Sequence, residues 1–210
     1  MKNQPTSPHR QRNREATIQN ILSTARTIMC EEGVAALSMQ ELARRMDMRA
    51  PSLYNYFSGK AEIYDTLFRV GFTRYDEHIK GLMKASTSWQ DELRINIEGY
   101  MSFALENPEL YQLCFEHPVP GFIPSQESLQ MSFGILNRSY QRAEGFKKEL
   151  DTKLTGQQIV DTIIAISHGL TAMHISNEPH LPVGQGRFGS LIPVVLSILE
   201  KAMPIKGENK

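Results

Sequence analysis

Residues 46–60 read Met-Asp-Met-Arg-Ala-Pro-Ser-Leu-Tyr-Asn-Tyr-Phe-Ser-Gly-Lys. A proline, an asparagine, two cations and the rings of Tyr54, Tyr56 and Phe57 crowd into barely three turns, with Asp47 as the sole acid. As a helix over about 50–57, the stretch sorts into two faces. Leu53 and Phe57, four apart, pack inward, and Arg49, Pro51, Ser52, Asn55 and Tyr56 stay outside. Upstream, Ser38-Met39-Gln40-Glu41 reads as a capping box: the Ser38 hydroxyl caps a helix over about 38–46, and Glu41 caps in return. Between the two helices lies the break Asp47-Met48-Arg49, where Asp47 can take the left-handed conformation that such a turn needs. Two short helices joined by a three-residue turn have helix-turn-helix geometry.

Charge points the same way. The chain is neutral overall, yet residues 1–60 hold nine Lys or Arg against five acids. Such asymmetry between segments suits a polyanionic partner. In helix-turn-helix recognition the first residues of the second helix meet base edges in the major groove. Pro51 offers a flat apolar surface for a thymine methyl, and Ser52 and Asn55 match base-edge hydrogen bonding. The Tyr54 and Tyr56 hydroxyls reach phosphates, as do the Lys60 charge and the free backbone N–H groups beside it. The competing reading makes Tyr54 and Tyr56 core aromatics, but three rings exceed what so short a helix can bury. Residues 1–13 read as a disordered basic arm. Arg10, Arg12 and Arg14 either follow DNA or belong to a solvated tail, and both readings stay open.

Composition narrows the remainder. A hydrophobic share of 40% and a charged share of 22% suit a packed globular chain. Cys30 and Cys114 have no metal-ligand or disulfide spacing and read as buried reduced thiols. The polar, basic N-terminus lacks an apolar signal region, and the longest near-continuous apolar run, Leu191 to Leu199, is about half a membrane span. A cytoplasmic protein without membrane association is expected. No Glu-x-x-His, phosphate loop or His-Glu-x-x-His occurs, and Phe115-Glu116-His117 runs into the Pro-rich loop 117–124. An enzyme is therefore not expected, nor a metal or cofactor.

Outside the opening stretch the chain reads as helix at about 14–32, 60–84, 88–106, 108–116, 125–150, 156–176 and 188–202. Thr155-Gly156-Gln157-Gln158 forms a second capping box, and Pro193 is tolerable only within a first turn. The predicted fold is all-α. A protein that reads a two-half-site operator must dimerise. Ile159, Ile163, Ile166, Leu170 and Met173 lie on one helical stripe, and Val195, Ile198 and Leu199 sit on the last helix. These eight are the candidate dimer seam, set against an intramolecular core. Trp89, Tyr100, Phe103, Tyr111, Phe115 and Phe133 either line a ligand cavity or belong to the core. The absence of a paired charge inside an apolar helix favours a largely neutral or lipophilic effector. His168-Gly169 reads as a helix-packing position.

Residues 14–63 resemble the DNA-binding domain of TetR-type transcriptional regulators. The resemblance is carried by LSMQELARRMDMRAPSLYNYFSGKAEI, Leu37 to Ile63, in which the spacing from Ser38 through Leu53-Tyr54 and Tyr56-Phe57 to Lys60 fits without a gap. Asp47 stands where glycine is usual, Arg49 where a capping Ser or Thr is usual, and Gly59 where Ser is usual. The resemblance implies DNA contacts at Ser38, Pro51, Ser52, Tyr54, Tyr56 and Lys60, with Asn55 at a position concerned with specificity. Arg49 sets a guanidinium beside the groove. Gly99–Glu116 and Ile166–His174 resemble the subgroup named for a Trp-His-Gly motif, with Ser167 in place of the Trp. The implied organisation is a helix-turn-helix domain over 14–60 and a ligand-binding and dimerisation domain over 61–210. Its last two long helices would form a four-helix bundle across a homodimer. The implied function is repression of a palindromic operator, relieved by a small lipophilic effector. The alternative is a helix-turn-helix relic that serves as a protein-interaction module.

Overall fold

The computed structural model describes residues 8–207, and they fold as helices joined by short loops. The one β-type contact among them is an isolated antiparallel bridge between Leu150 and Ile205. The chain divides into two compact units, one holding residues up to Gly71 together with Glu109–Ser125, the other Phe72–Pro108 and Gln126 onward.

In the first unit, α1 (Pro8–Glu32) buries Ile21, Leu22, Ala25, Ile28 and Met29, which recur at helical spacing. Residues 8–13 are part of this helix and not arm. Residues 1–7 of the expected arm lie outside the described residues. A single tight turn, Val34–Ala36, leads to α2 (Met39–Arg45). After Met46–Arg49 comes α3 (Ala50–Leu53). The expected helix over about 50–57 thus stops after one turn, and residues 54–57 continue as turns closed by Tyr56 N–H and Phe57 N–H on the Leu53 carbonyl. Arg49 stands at the N-cap of α3, and its side chain does not bond the free N–H groups there. Leu53 and Phe57 are buried, as their four-residue spacing requires.

The long α4 (Lys60–Met83) follows, entered through Ser58, whose N–H and hydroxyl both donate to Glu62 Oε2 at 2.6 and 2.8 Å. Its first turns bury Ile63, Tyr64, Leu67 and Phe68, and the Tyr64 hydroxyl donates to the Val34 carbonyl at 2.7 Å. The segment 109–125 completes this unit. Pro108–Tyr111 (α6, numbered after the α5 introduced below) runs on into a wider π-type turn, Gln112–Glu116, that ends at left-handed His117. Gly71 lets this segment approach: a Cβ there would overlap Cys114 Sγ. Glu109 is buried, with its carboxylate on Arg26 Nε at 2.6 Å and on Cys30 Sγ at 3.1 Å.

The second unit is built on α5 (Trp89–Glu106), α7 (Gln126–Phe146) and α8 (Gly156–Asn177), with α8 packed against both of the others. Both halves of the Thr155 capping box form: Gln158 N–H donates to Thr155 Oγ1 at 3.1 Å and Thr155 N–H to Gln158 Oε1 at 2.9 Å. Buried Glu92 on α5 is paired with Arg142 on α7. The expected last helix arrives in two pieces, α9 (Gly186–Gly189) and α10 (Ile192–Ala202), and the division leaves Pro193 in the first turn of α10. Leu93, Ile97 and Met101 share one core with Ile159, Ile163, Leu170, Leu196 and Leu199.

Candidate nucleic-acid interface and effector site

The helix-turn-helix is set by its joint. Asp47 adopts φ 51°, the left-handed conformation, while its N–H and that of Met48 close on the carbonyls of Arg44 and Ala43. Ser38 caps α2 through its hydroxyl, which accepts the Glu41 N–H at 3.2 Å. The return half of the expected box does not form. The Glu41 carboxylate is taken by Arg44 at 2.6 and 2.8 Å and by Arg45 at 2.8 Å. Those hydrogen bonds, Arg44 first, hold its carboxyl below the usual carboxylate range, at about 2. Arg45 also pairs with Glu31 and Glu32 on α1 and so braces α2 against it.

The outcome is a division of cations. Arg44 and Arg45 are compensated by Glu41. Arg49 and Lys60, at the two ends of the recognition segment, are exposed, and neither makes an ion pair among the described residues. Between them Pro51, Tyr54 and Asn55 are exposed, Tyr54 at 55%, while Ser52 and Tyr56 are half-buried. One turn of helix and the turn that follows it thus present a proline, a ring and an amide outward, with a positive charge at either end. That set matches a duplex surface of phosphates flanking base edges.

One contributor escapes the sequence reading. Arg14, assigned there to the arm, lies in α1. Its Nη1 donates to the Asn55 carbonyl at 2.9 Å, and its guanidinium lies over the Tyr56 ring, 5.2 Å from the centroid. No local signal links positions 41 residues apart.

The six candidate pocket aromatics belong to both units. Tyr100 and Phe103 are buried beside Tyr75, with ring centroids 5.9 and 5.3 Å away. Tyr111 and Phe115 stack at 5.9 Å within the first unit. Phe133 is 56% exposed. Trp89 borders an open cavity of about 260 Å³ together with Gln90, Glu200, Lys201, Met203, Pro204 and Ile205. The composition of α8 hides a different feature. Ser167 Oγ, Thr171 Oγ1 and His174 Nδ1, on one face of that helix, are buried without a hydrogen-bond partner among the described residues. His174 Nε2 lies 2.9 Å from the Leu181 carbonyl, and a proton donated there leaves Nδ1 as an acceptor. His168 Nδ1 meets the Tyr100 hydroxyl at 3.0 Å. Gly169 is not an internal packing site: a Cβ there would meet open space.

The seam also needs correction. Ile159, Ile163, Leu170 and Leu199 are buried in the core of the second unit, and Ile166 and Val195 are half-buried. Only Met173 and Ile198 of the eight stand exposed, at 47% and 59%. Ile164 on α8, Leu191 just before α10 and Val194 on it are exposed as well. Because α8 is apolar nearly all round, periodicity cannot tell its buried stripe from its outer one. Cys30, expected to be buried, is exposed, whereas Cys114 is buried as expected.

Residues 21–67 match the family described as bacterial regulatory proteins, tetR family. Over 97 residues the chain is 26% identical to the HTH-type transcriptional activator FasR of Mycolicibacterium smegmatis, covering 46% of this chain and 44% of that one. The chain thus spans about half the length of the curated relatives it matches. A Rhodococcus protein of unknown function superposes with a TM-score of 0.74 at 16% identity, over 89% of this chain and 94% of that one. The Bacillus subtilis transcriptional regulator FadR, solved in complex with stearoyl-CoA, gives a TM-score of 0.65 at 17% identity, over 88% and 98%. At these identities the superpositions establish the fold.

Proposed function

With residues 21–67 forming a tetR-family helix-turn-helix unit, we propose that the whole chain is a homodimeric, effector-responsive transcriptional regulator of the repressor type. The observation that carries the reading is the exposed turn Pro51-Tyr54-Asn55 between the unpaired cations Arg49 and Lys60. Ser38, Tyr54, Tyr56 and Lys60 hold the phosphates, Pro51, Ser52 and Asn55 face base edges, and Arg49 lies beside the groove. A protomer reads one half-site, so two copies bind a palindrome whose half-sites are about 34–36 Å apart. The exposed residues Ile164, Met173, Leu191, Val194 and Ile198 form the face that a second copy covers. Gly169 on that side of α8 leaves room for close approach of another helix.

The effector binds the second unit. Its body is lipophilic, as the aromatic and aliphatic core suits, and it carries a hydrogen-bonding group received by Ser167, Thr171 and His174. A buried polar atom without a partner costs about 1–3 kcal/mol, and a ligand atom that completes it recovers that cost. The stearoyl-CoA complex of the FadR neighbour makes fatty acyl thioesters the first class to try. An effector that prefers the conformation unable to span two half-sites releases the DNA.

The test is selection of duplexes from a random pool by the purified chain, followed by titration of the enriched sequence against salt and against acyl-CoAs of graded length. An inverted repeat bound by a dimer, and released by one acyl class, supports the reading. Enrichment of nothing above random sequence overturns it in favour of a protein-interaction module.

A further inference from the structure

The recognition segment has one turn of helix, Ala50–Leu53, followed by turns through residue 57. One turn holds no shape by itself, since the first hydrogen-bonded turn fixes more dihedrals than it gains bonds. Its inner side is seated by Leu53 and Phe57. Its outer end, where Asn55 and Tyr56 follow the last helical residue, has the Asn55 carbonyl outside any helical ladder. That carbonyl accepts Arg14 Nη1 at 2.9 Å, and the same guanidinium covers the Tyr56 ring at 5.2 Å. Arg14 sits in α1, two turns before the buried pair Ile21 and Leu22. Both of these interactions are made with the protein's own recognition segment.

We propose that Arg14 is a positioning residue for base reading: it clamps the Asn55 carbonyl and the Tyr56 ring so that the Asn55 amide and the Tyr56 hydroxyl meet DNA in one fixed orientation. This rests on the reading of residues 50–60 as the DNA-contacting segment. Arg14 is specific to the task because a planar fork donates to a carbonyl while stacking on a ring. Lysine keeps the charge but lacks the plane. A phosphate contact would behave differently, because any cation near the backbone contributes to affinity for every sequence alike.

The experiment uses the full chain with Arg14→Ala and Arg14→Lys, two probe duplexes, and one measurement without DNA. The probes are the duplex enriched by the wild-type chain and a random duplex of equal length. Loss of one exposed hydrogen bond and one cation–π contact lowers affinity for the enriched duplex by about tenfold. Random-duplex affinity and the salt slope stay unchanged, and Arg14→Lys behaves like Arg14→Ala. In the free protein, amide exchange at residues 54–57 rises in both variants while the thermal midpoint stays near wild type.

Equal loss on both duplexes, with a salt slope smaller by about one and rescue by lysine, makes Arg14 a phosphate contact and overturns the proposal. Unchanged exchange at 54–57, or raised exchange without loss of affinity for the enriched duplex, overturns it as well. If the wild-type chain enriches no duplex, the regulatory reading fails by itself, and the exchange measurement still decides whether Arg14 holds the segment.

Discussion

Arg26 Nε donates to Glu109 Oε1 over 2.6 Å, joining two positions 83 residues apart. The pair is asymmetric. The Glu109 side chain is 2% exposed and that of Arg26 25%, so one partner depends on the other for its solvation.

Removing the exposed partner should therefore cost more than neutralising the buried one. Arg26→Met leaves an uncompensated buried carboxylate and is expected to cost about 3 kcal/mol. Glu109→Gln keeps the shape, lets Arg26 turn to water, and is expected to cost about 1 kcal/mol. Denaturant midpoints of the two variants check the ranking. The reverse order would mean that Glu109 is not the desolvated member.

Cys30 shares the Glu109 carboxylate, with Sγ 3.1 Å from Oε2. Desolvation first, and then this neighbour, pushes the thiol from its ordinary 9.0 up to about 11. Although exposed, Cys30 should react with iodoacetamide at pH 8 about a hundredfold more slowly than an ordinary thiol, because the thiolate is the nucleophile. Glu109→Gln should accelerate it. A thiol raised on folding stabilises the fold below pH 9 and loses that contribution as pH climbs to about 11, since the unfolded chain ionises first. Melting from pH 8 to 11 should decline more steeply in wild type than in Cys30→Ser.

On DNA, three variants should separate by kind. Lys60→Ala weakens binding to every sequence and lowers the salt slope by about one. Tyr56→Phe weakens it broadly. Asn55→Ala keeps the carbonyl that Arg14 holds, so the segment stays in place and preference relaxes at one or two bases per half-site. Equal loss on enriched and random duplexes from Asn55→Ala would remove it from base reading.

The proposed dimer face makes a two-sided demand on Gly169. In the monomer, alanine fits open space and should stabilise α8 by about 1 kcal/mol. If a second helix closes on that point, the same methyl weakens association. Ile198→Glu, at a residue 59% exposed, should yield a monomer without loss of helicity. Sedimentation gives both results, and a dimer indifferent to each would place the interface elsewhere.

What the sequence discloses follows from the range of the interactions. The spacing of Leu53 and Phe57, the left-handed turn at Asp47 and the Thr155 box are local, and each is visible in a few residues. The share of the Glu41 carboxylate is not, because Arg44 and Arg45 compete for it with the backbone at Ser38. The stripe Ser167-Thr171-His174 is written at helical spacing, yet only packing reveals that all three polar atoms lack partners. Arg14 on Asn55 is the extreme: nothing near either residue announces the other.

The brevity of α3 also bears on engineering. On the proposed reading, exchanging residues 50–57 with those of a relative would move the residues proposed to face DNA and leave behind the contacts that hold them. A transferable reading head comprises at least Arg14, the Asp47 joint and the seats of Leu53 and Phe57. If Arg14 aims the segment as proposed, specificity would be inherited, or lost, as a block.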